Sequence, residues 1–345
     1  MQNHKYLIVG GGMTADAAVS GIREVDSKGS IGLISSDSDP PYDRPPLTKG
    51  LWKGKPLESV WRHTRDRNVD LYLERTVSAI DVQHKTVADD KQEVYSFEKL
   101  LLATGGSPRR LPFGGDDILY FRTLDDYRHL WDLTTKGRRF AVIGGGFIGS
   151  ELAAALAMNQ KEVVMLFPGT GICDRMFPPD LSQFLNEFYR QKGVEVWNGE
   201  SAADLQRRGA QLVLKTQSQR EVAVDGVVAG LGIRPNLDLA LMAGLKTADG
   251  IVVDEFLRTS EPDIYAAGDV ALFYNPALDR RLRVEHEDNA NTMGRLAGRN
   301  MAGRAEPYHH LPFFYSDLFE LGYEAVGEVS RAARRCCPHD QCRSR

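Results

Sequence analysis

The chain has 345 residues, a formal net charge of −4, 42% hydrophobic residues and 26% charged residues. That length calls for two or three domains with a large core, and the near-neutral charge supplies no global field for nucleic acid. No apolar run approaches the roughly 20 residues of a membrane span, and the short apolar stretch at residues 6–9 runs into glycines rather than a signal peptide, so a cytoplasmic protein is expected.

In chain order, residues 5–9 predict a strand, Gly10-Gly11-Gly12 a turn, residues 13–25 a helix and residues 31–35 a second strand. This is the order of a βαβ unit. Pro40, Pro41, Pro45 and Pro46 then break the chain into an extended loop. Short β-like runs at 69–73, 77–82, 85–88 and 93–96 read as a meander, followed by a buried strand at 100–103 that ends at Thr104-Gly105-Gly106. The opening order then recurs, with a strand at 140–143, Gly144-Gly145-Gly146, a helix at 147–159 and a strand at 163–167. A second meander spans 201–229, and a later apolar strand ends at Gly268-Asp269. Residues 331–345, with five arginines and three cysteines, read as a solvated tail.

The two glycine turns carry the chemistry. Gly10-x-Gly12-x-x-Ala15 and Gly144-x-Gly146-x-x-Gly149 each lie between a strand and a helix. The first glycine permits the tight turn, and the second lets a pyrophosphate approach backbone N–H groups at the helix N-terminus. Two such turns imply two dinucleotides, one a resident cofactor and the other a substrate. Asp269, following a glycine at a strand end, suits a ligand hydroxyl, although a Gly-Asp pair also suits a helix N-cap. The cysteines, Cys173, Cys336, Cys337 and Cys342, include no C-x-x-C pair, so a redox dithiol is not expected and disulfide reduction ranks last among the activities.

Further segments make the chain recognisable. They are Pro41-Tyr42-Asp43-Arg44-Pro45-Pro46-Leu47-Thr48-Lys49, Leu102-Ala103-Thr104-Gly105-Gly106, Leu231-Gly232-Ile233-Arg234-Pro235-Asn236, Ile264 to Asp269, and Arg283-Val284-Glu285-His286-Glu287-Asp288-Asn289-Ala290. Phe314-Tyr315-Ser316-Asp317 and Gly322-Tyr323-Glu324-Ala325 belong to the same set. With the glycine turns, they make the chain resemble the FAD-dependent pyridine nucleotide reductases of the ferredoxin reductase type, in particular apoptosis-inducing factor and its bacterial relatives.

The resemblance implies an α/β protein with two Rossmann-like domains and a shortened C-terminal α+β segment. Residues 1–112 and 246–305 would bind FAD, residues 113–245 NAD(P), and residues 306–345 would form an incomplete C-terminal domain and tail. FAD would be held by Gly10, Gly12, Ala15, Arg44, Lys49, Thr104, Gly105, Asp269, Glu285 and His286, and NADH or NADPH, as substrate, by Gly144, Gly146, Phe147 and Gly149. Lys49 would lie beside the flavin, paired with Glu151, and these two residues with His286 form the catalytic set. A plain surface ion pair remains the alternative for Lys49 and Glu151, and a core histidine for His286. The activity implied is hydride transfer from NAD(P)H to FAD, then electron transfer to a ferredoxin-like protein, quinone or oxygen. The alternative is a redox-responsive interaction protein with slow turnover, like apoptosis-inducing factor. Neither nucleic acid nor membrane is an expected partner, and a homodimer is left open.

Three places depart from the family pattern. The acid expected for the FAD ribose falls at Ser36 by alignment, and the neighbouring Asp37 is the candidate. In the second unit, Gly169 stands where apoptosis-inducing factor has a glutamate after Leu-Phe-Pro, so the NADH-selective contact is expected to be missing. Arg175 is close enough in sequence to meet a 2′-phosphate, and the choice of coenzyme stays open. The last residues read as a truncated or frame-altered end. Cys336, Cys337, His339 and Cys342 are zinc ligands by type but have no standard spacing, and no metal is expected.

Overall fold

The computed structural model describes residues 1–329. Its first sheet carries five parallel strands in the order Asp70–Tyr72, Ile31–Ile34, Gln2–Val9, Val94–Leu102, Ile264–Ala266. Helix Met13–Val25 starts directly after the first glycine turn, as its apolar period predicts.

Two expectations for this region need correction. The runs at 93–96 and 100–103 belong to one strand, Val94–Leu102. Its first half alternates between buried and more exposed residues and pairs antiparallel with Thr86–Asp89, which in turn pairs with Val77–Asp81. Its last three residues, Leu100, Leu101 and Leu102, are all buried and pair parallel with Ile264–Ala266. The change from alternating to continuous apolar residues marks the passage from a sheet with one wet face to a sheet covered on both. The run at 69–73 is not part of the meander: Asp70–Tyr72 is the parallel edge strand of the first sheet.

The second sheet is wholly parallel, in the order Val194–Asn198, Glu162–Phe167, Arg139–Ile143, Gly226–Ala229, Ile118–Tyr120. Helices Leu124–Lys136, Phe147–Met158 and Pro179–Gln191 accompany it. The expected meander at 201–229 divides: Ala202–Arg208, Gln211–Thr216 and Glu221–Val224 form a separate antiparallel sheet, and Gly226–Ala229 enters the parallel one. The C-terminal part contributes the hairpin Phe313–Leu318 and Leu321–Val326. Among the described residues, no helix is long and apolar enough to cross a membrane.

The proline-rich loop joins the two units. Tyr42, Leu47, Leu51 and Trp52 are buried in the same apolar cluster as Leu152, Ala155 and Phe140 of the second unit. The Leu124 N–H donates to Tyr42 Oη at 2.9 Å, and Arg128 pairs with Asp39 at 2.7 Å. This docking fixes residues 44–49 beside helix Phe147–Met158.

The long helix Glu287–Met301 lies against helix Met13–Val25 at a distance that only small residues allow. A Cβ on Gly298 would fall within 2.9 Å of the Ile22 nitrogen and would run into the Ala18 carbonyl. The side chains at the start of Glu287–Met301 are thereby held at the mouth of the first glycine turn.

Candidate functional site

The two glycine turns are built alike. Gly10 has φ +126° and Gly144 φ +122°, a region that penalises any Cβ. A side chain on Gly10 would strike the Ala103 carbonyl, and one on Gly144 the Gly230 carbonyl. Each turn therefore leans on the chain just beyond a neighbouring parallel strand. The third glycines, Gly12 and Gly146, face open space: the nearest atom to a Cβ on Gly12 is an Arg44 nitrogen at 3.8 Å, and a Cβ on Gly146 meets nothing within 4 Å. The turns differ at the last position. A Cβ on Gly149 would run into the Gly144 carbonyl, whereas Ala15 is fully buried without conflict.

A cleft of about 990 Å³ is lined by both open glycines. Asp37, Arg44, Lys49, Thr104, Gly105, Phe147, Glu151, Asp269, Glu285 and His286 also reach it. Thr104 is locked in place by Asn236, whose Nδ2 donates to the Thr104 carbonyl at 2.9 Å. Asp269 does not cap a helix; its carboxylate takes a hydrogen bond from Arg122 at 2.9 Å. Ala15 and Gly149 do not line the cleft and act through packing.

Among the cations that line the cleft, Lys49 and Arg122 are paired with Glu151 and Asp269, whereas Arg44 is not paired. The Arg44 guanidinium has no hydrogen bond or ion pair among the described residues, and burial and Arg122 both press its pKa down, opposed by Tyr42, Asp269 and Asp37. Arg122 Nε is buried without a partner. A half-buried cation without an ion-pair partner is unfavourable, and an anion placed at the Gly12 turn would relieve it. The residues present therefore fit a dinucleotide diphosphate. Asp37 also lines the cleft, its carboxyl pushed up by burial and held back by Arg44.

Lys49 and Glu151, distant in sequence, meet at 2.6 Å. The surface-pair alternative is excluded, because their side chains are only 13% and 4% exposed. Thr48 Oγ1 donates to Glu151 Oε2 at 2.5 Å, and Ser316 Oγ donates to Oε1 at 2.7 Å. Glu151 is thus held by three residues from two segments, and its carboxylate fixes the Lys49 ammonium at the cleft wall. Tyr315 turns its ring to Lys49, 5.4 Å from the ammonium, and its hydroxyl donates to Glu287. His286 Nδ1 accepts the Asp288 N–H at 3.3 Å and so caps helix Glu287–Met301, while Nε2 lies 3.4 Å from the Tyr315 carbonyl. Burial lowers the His286 pKa and favours the neutral ring. His286 is therefore both a helix cap and a cleft residue. Phe147 stands at the cleft with Phe177 and Tyr323 against it, at ring separations of 6.0 and 5.7 Å. Glu285 is paired with Arg283 at 2.6 Å.

Gly169 and Arg175 are not among the residues lining the cleft. They follow strand Glu162–Phe167, and Arg175 is exposed. Asp174, which does not line the cleft either, lies next to Gly169: its Oδ1 would lie 2.8 Å from a Cβ on Gly169. Sequence reasoning also missed Arg122, Thr48, Ser316 and Tyr315. The last three stand inside the quoted motifs, where their type alone marks them as donors; Arg122 has no local signature. Cys173 is buried, and burial raises its thiol to about 12, which removes the thiolate that disulfide exchange requires. Cys336, Cys337, His339 and Cys342 lie outside the described residues.

Residues 4–294 match the family model of the pyridine nucleotide-disulphide oxidoreductases. Apoptosis-inducing factor 1, mitochondrial, of Dictyostelium discoideum is 34% identical, across 96% of this chain and 68% of that protein. Putidaredoxin reductase of Pseudomonas putida is 32% identical, across 94% of this chain and 80% of its own length. The solved structure of a covalent putidaredoxin reductase–putidaredoxin complex superimposes with a TM-score of 0.89 at 30% identity, across 95% of this chain and 82% of that one. The chain belongs to the pyridine nucleotide-disulphide oxidoreductase family and is an FAD-dependent NAD(P)H oxidoreductase.

Proposed function

We propose that the protein is the reductase of a small ferredoxin-like electron carrier, drawing its electrons from NAD(P)H. The observation that carries this reading is the cleft itself: two open glycine turns converge on one space whose wall holds the buried Lys49–Glu151 pair. The acceptor class is supported by relatives about 32% identical that are named as ferredoxin reductase components of oxygenase systems and as putidaredoxin reductase.

In this reading, residues 1–112 and 246–305 hold FAD and residues 113–245 the nicotinamide coenzyme, with residues 306–329 closing the cleft through Tyr315 and Ser316. Gly10, Gly12 and Arg44 take the FAD diphosphate, with Arg122 fixing Asp269 beside it. Asp37 faces the adenosine end. Gly144 and Gly146 take the coenzyme diphosphate, and Phe147 stands where the nicotinamide enters. The bound flavin supplies the capacity to accept a hydride and to release electrons singly. The protein contributes position and charge. Lys49, held by Glu151, Thr48 and Ser316, keeps a fixed positive charge at the cleft wall, which favours an electron-rich ligand there. The neutral His286 ring and the Tyr315 ring exclude water beside it. No side chain is required to form a covalent bond.

Steady-state assays with NADH or NADPH against ferredoxin, rubredoxin, quinone, monodehydroascorbate and oxygen test the proposal. Ferredoxin-type carriers are expected to give the highest kcat/KM. A long-lived reduced complex with slow turnover for every acceptor would replace this reading with that of a redox-responsive interaction protein.

A further inference from the structure

We infer that Asp174 selects the coenzyme, by placing a carboxylate where the second unit has no acidic residue of its own at the strand end. The inference rests on the proposed assignment of the second glycine turn to the nicotinamide coenzyme. In βαβ dinucleotide sites, an acid at the end of the second strand accepts hydrogen bonds from the adenosine ribose hydroxyls and repels a 2′-phosphate. Strand Glu162–Phe167 ends two residues before Gly169, and there the position for such a side chain is vacant in sequence.

It is filled in space. An atom at the Cβ position of Gly169 would lie 2.7 Å from Asp174 Cγ and 2.8 Å from Oδ1, so the carboxylate occupies the volume that a residue-169 side chain would enter. The Thr170 N–H donates to Asp174 Oδ2 at 2.9 Å and orients the group. Oδ1 has no hydrogen-bond partner among the described residues and is left to accept from a ligand.

The loop that carries Asp174 is tied to the glycine turn. The Cys173 N–H donates to the Gly145 carbonyl at 2.7 Å, one residue from Asp174 and one from Gly146. The buried Asn186 clamps the loop from the other side. Its Oδ1 accepts from the Ile172 N–H at 3.0 Å, and its Nδ2 donates to the Thr170 carbonyl at 3.0 Å. The carboxylate is therefore part of a fixed loop beside the turn proposed for the coenzyme diphosphate. Arg175 is exposed next to it and opposes its effect on a phosphate. The favoured coenzyme is the one with a free 2′-hydroxyl, NADH.

The test is calorimetric titration of the FAD-loaded protein with ADP-ribose and with its 2′-phosphorylated form, followed by kcat/KM for NADH and NADPH. The wild type is expected to prefer the unphosphorylated ligand at least tenfold. Asp174→Asn keeps the acceptor for Thr170 and loses the charge, and should reduce that preference fivefold or more. Gly169→Ala keeps the charge but displaces the carboxylate, and should move the preference in the same direction. A preference unchanged in Asp174→Asn and Gly169→Ala would overturn the inference. Gly146→Val, which fills the open face of the turn, separates the two levels of the argument. If it abolishes binding of both ligands, the second turn is the coenzyme site and the Asp174 result stands on its own terms. If both bind as before, the coenzyme lies elsewhere and the assignment falls together with the role of Asp174.

Discussion

The Lys49–Glu151 pair is the place where stability and function are most directly joined, and a double-mutant cycle resolves both. Lys49→Met removes the cation and leaves a carboxylate that is 4% exposed with two hydroxyl donors, Thr48 and Ser316. Removing one member of a buried pair typically costs about 3–5 kcal/mol. Here the two hydroxyls retain part of the carboxylate's solvation, and water reaches the Lys49 side, so about 2–3 kcal/mol is expected. Glu151→Gln should cost about 1–3 kcal/mol, because the amide still accepts from Ser316 but leaves Lys49 without its counter-charge. The double variant buries no unpaired charge and should lie within about 1 kcal/mol of the wild type, giving a coupling energy of about 2 kcal/mol or more. Urea unfolding of the FAD-saturated proteins measures the cycle, with the flavin concentration held fixed because binding shifts apparent stability. Stopped-flow reduction by NADH supplies the second readout: Lys49→Met should slow reduction and lower the flavin potential, since a fixed positive charge no longer favours the electron-rich ligand. Additive single costs, or a wild-type reduction rate in Lys49→Met, would refute the reasoning.

Further outcomes follow from individual contacts. Arg44→Met should weaken FAD binding at least tenfold in a fluorescence titration of the apoprotein, because the half-buried guanidinium makes no hydrogen bond or ion pair among the described residues; unchanged affinity would remove Arg44 from the diphosphate site. Burial lowers the His286 pKa below its ordinary 6.5, so between the folded and unfolded values the native state binds fewer protons than the unfolded chain. The contribution of His286 is then complete above about pH 6.5 and is lost as pH falls through that interval; His4, also lowered by burial, acts in the same sense. His286→Asn keeps a helix cap and should flatten part of the acid-side slope of the melting temperature below about pH 6.5, whereas an unaltered slope would leave His4 and other groups responsible. Gly298→Ala should destabilise the protein by about 1–3 kcal/mol in thermal or urea unfolding, since the added methyl meets the Ala18 backbone rather than a side chain that can move.

Much of this protein is legible in the chain without coordinates. The helix over residues 13–25 is bounded by a glycine turn before it and by the end of its apolar period, and both signals are local. The paired glycine turns declare themselves because a positive φ and a close backbone approach admit no other residue at Gly10 or Gly144. The fold class and the use of two dinucleotides follow from that repetition, and the motif resemblance names the chemistry. Asp37, Arg44, Lys49, Thr104, Asp269 and His286 were nameable for the same reason: each sits in a motif or at a strand end.

Tertiary closure decided the rest. Strand Val94–Leu102 could be read as two strands because its register with neighbours changes midway, and pairing partners are not written into a strand's own period. The edge strand Asp70–Tyr72 joins the parallel sheet for the same reason, since its residues alone do not say which backbone will accept its hydrogen bonds. Glu151 acquires Thr48, Lys49 and Ser316 only when the proline-rich loop and the C-terminal hairpin pack onto helix Phe147–Met158. Arg122 reaches Asp269 across 147 positions of sequence. Asp174 takes the space that Gly169 leaves empty because a tight loop folds a later side chain back over an earlier one. A residue's type and spacing state what it can bond to, but only the folded chain determines which charge is buried, which donor finds it, and which vacant volume another side chain will fill.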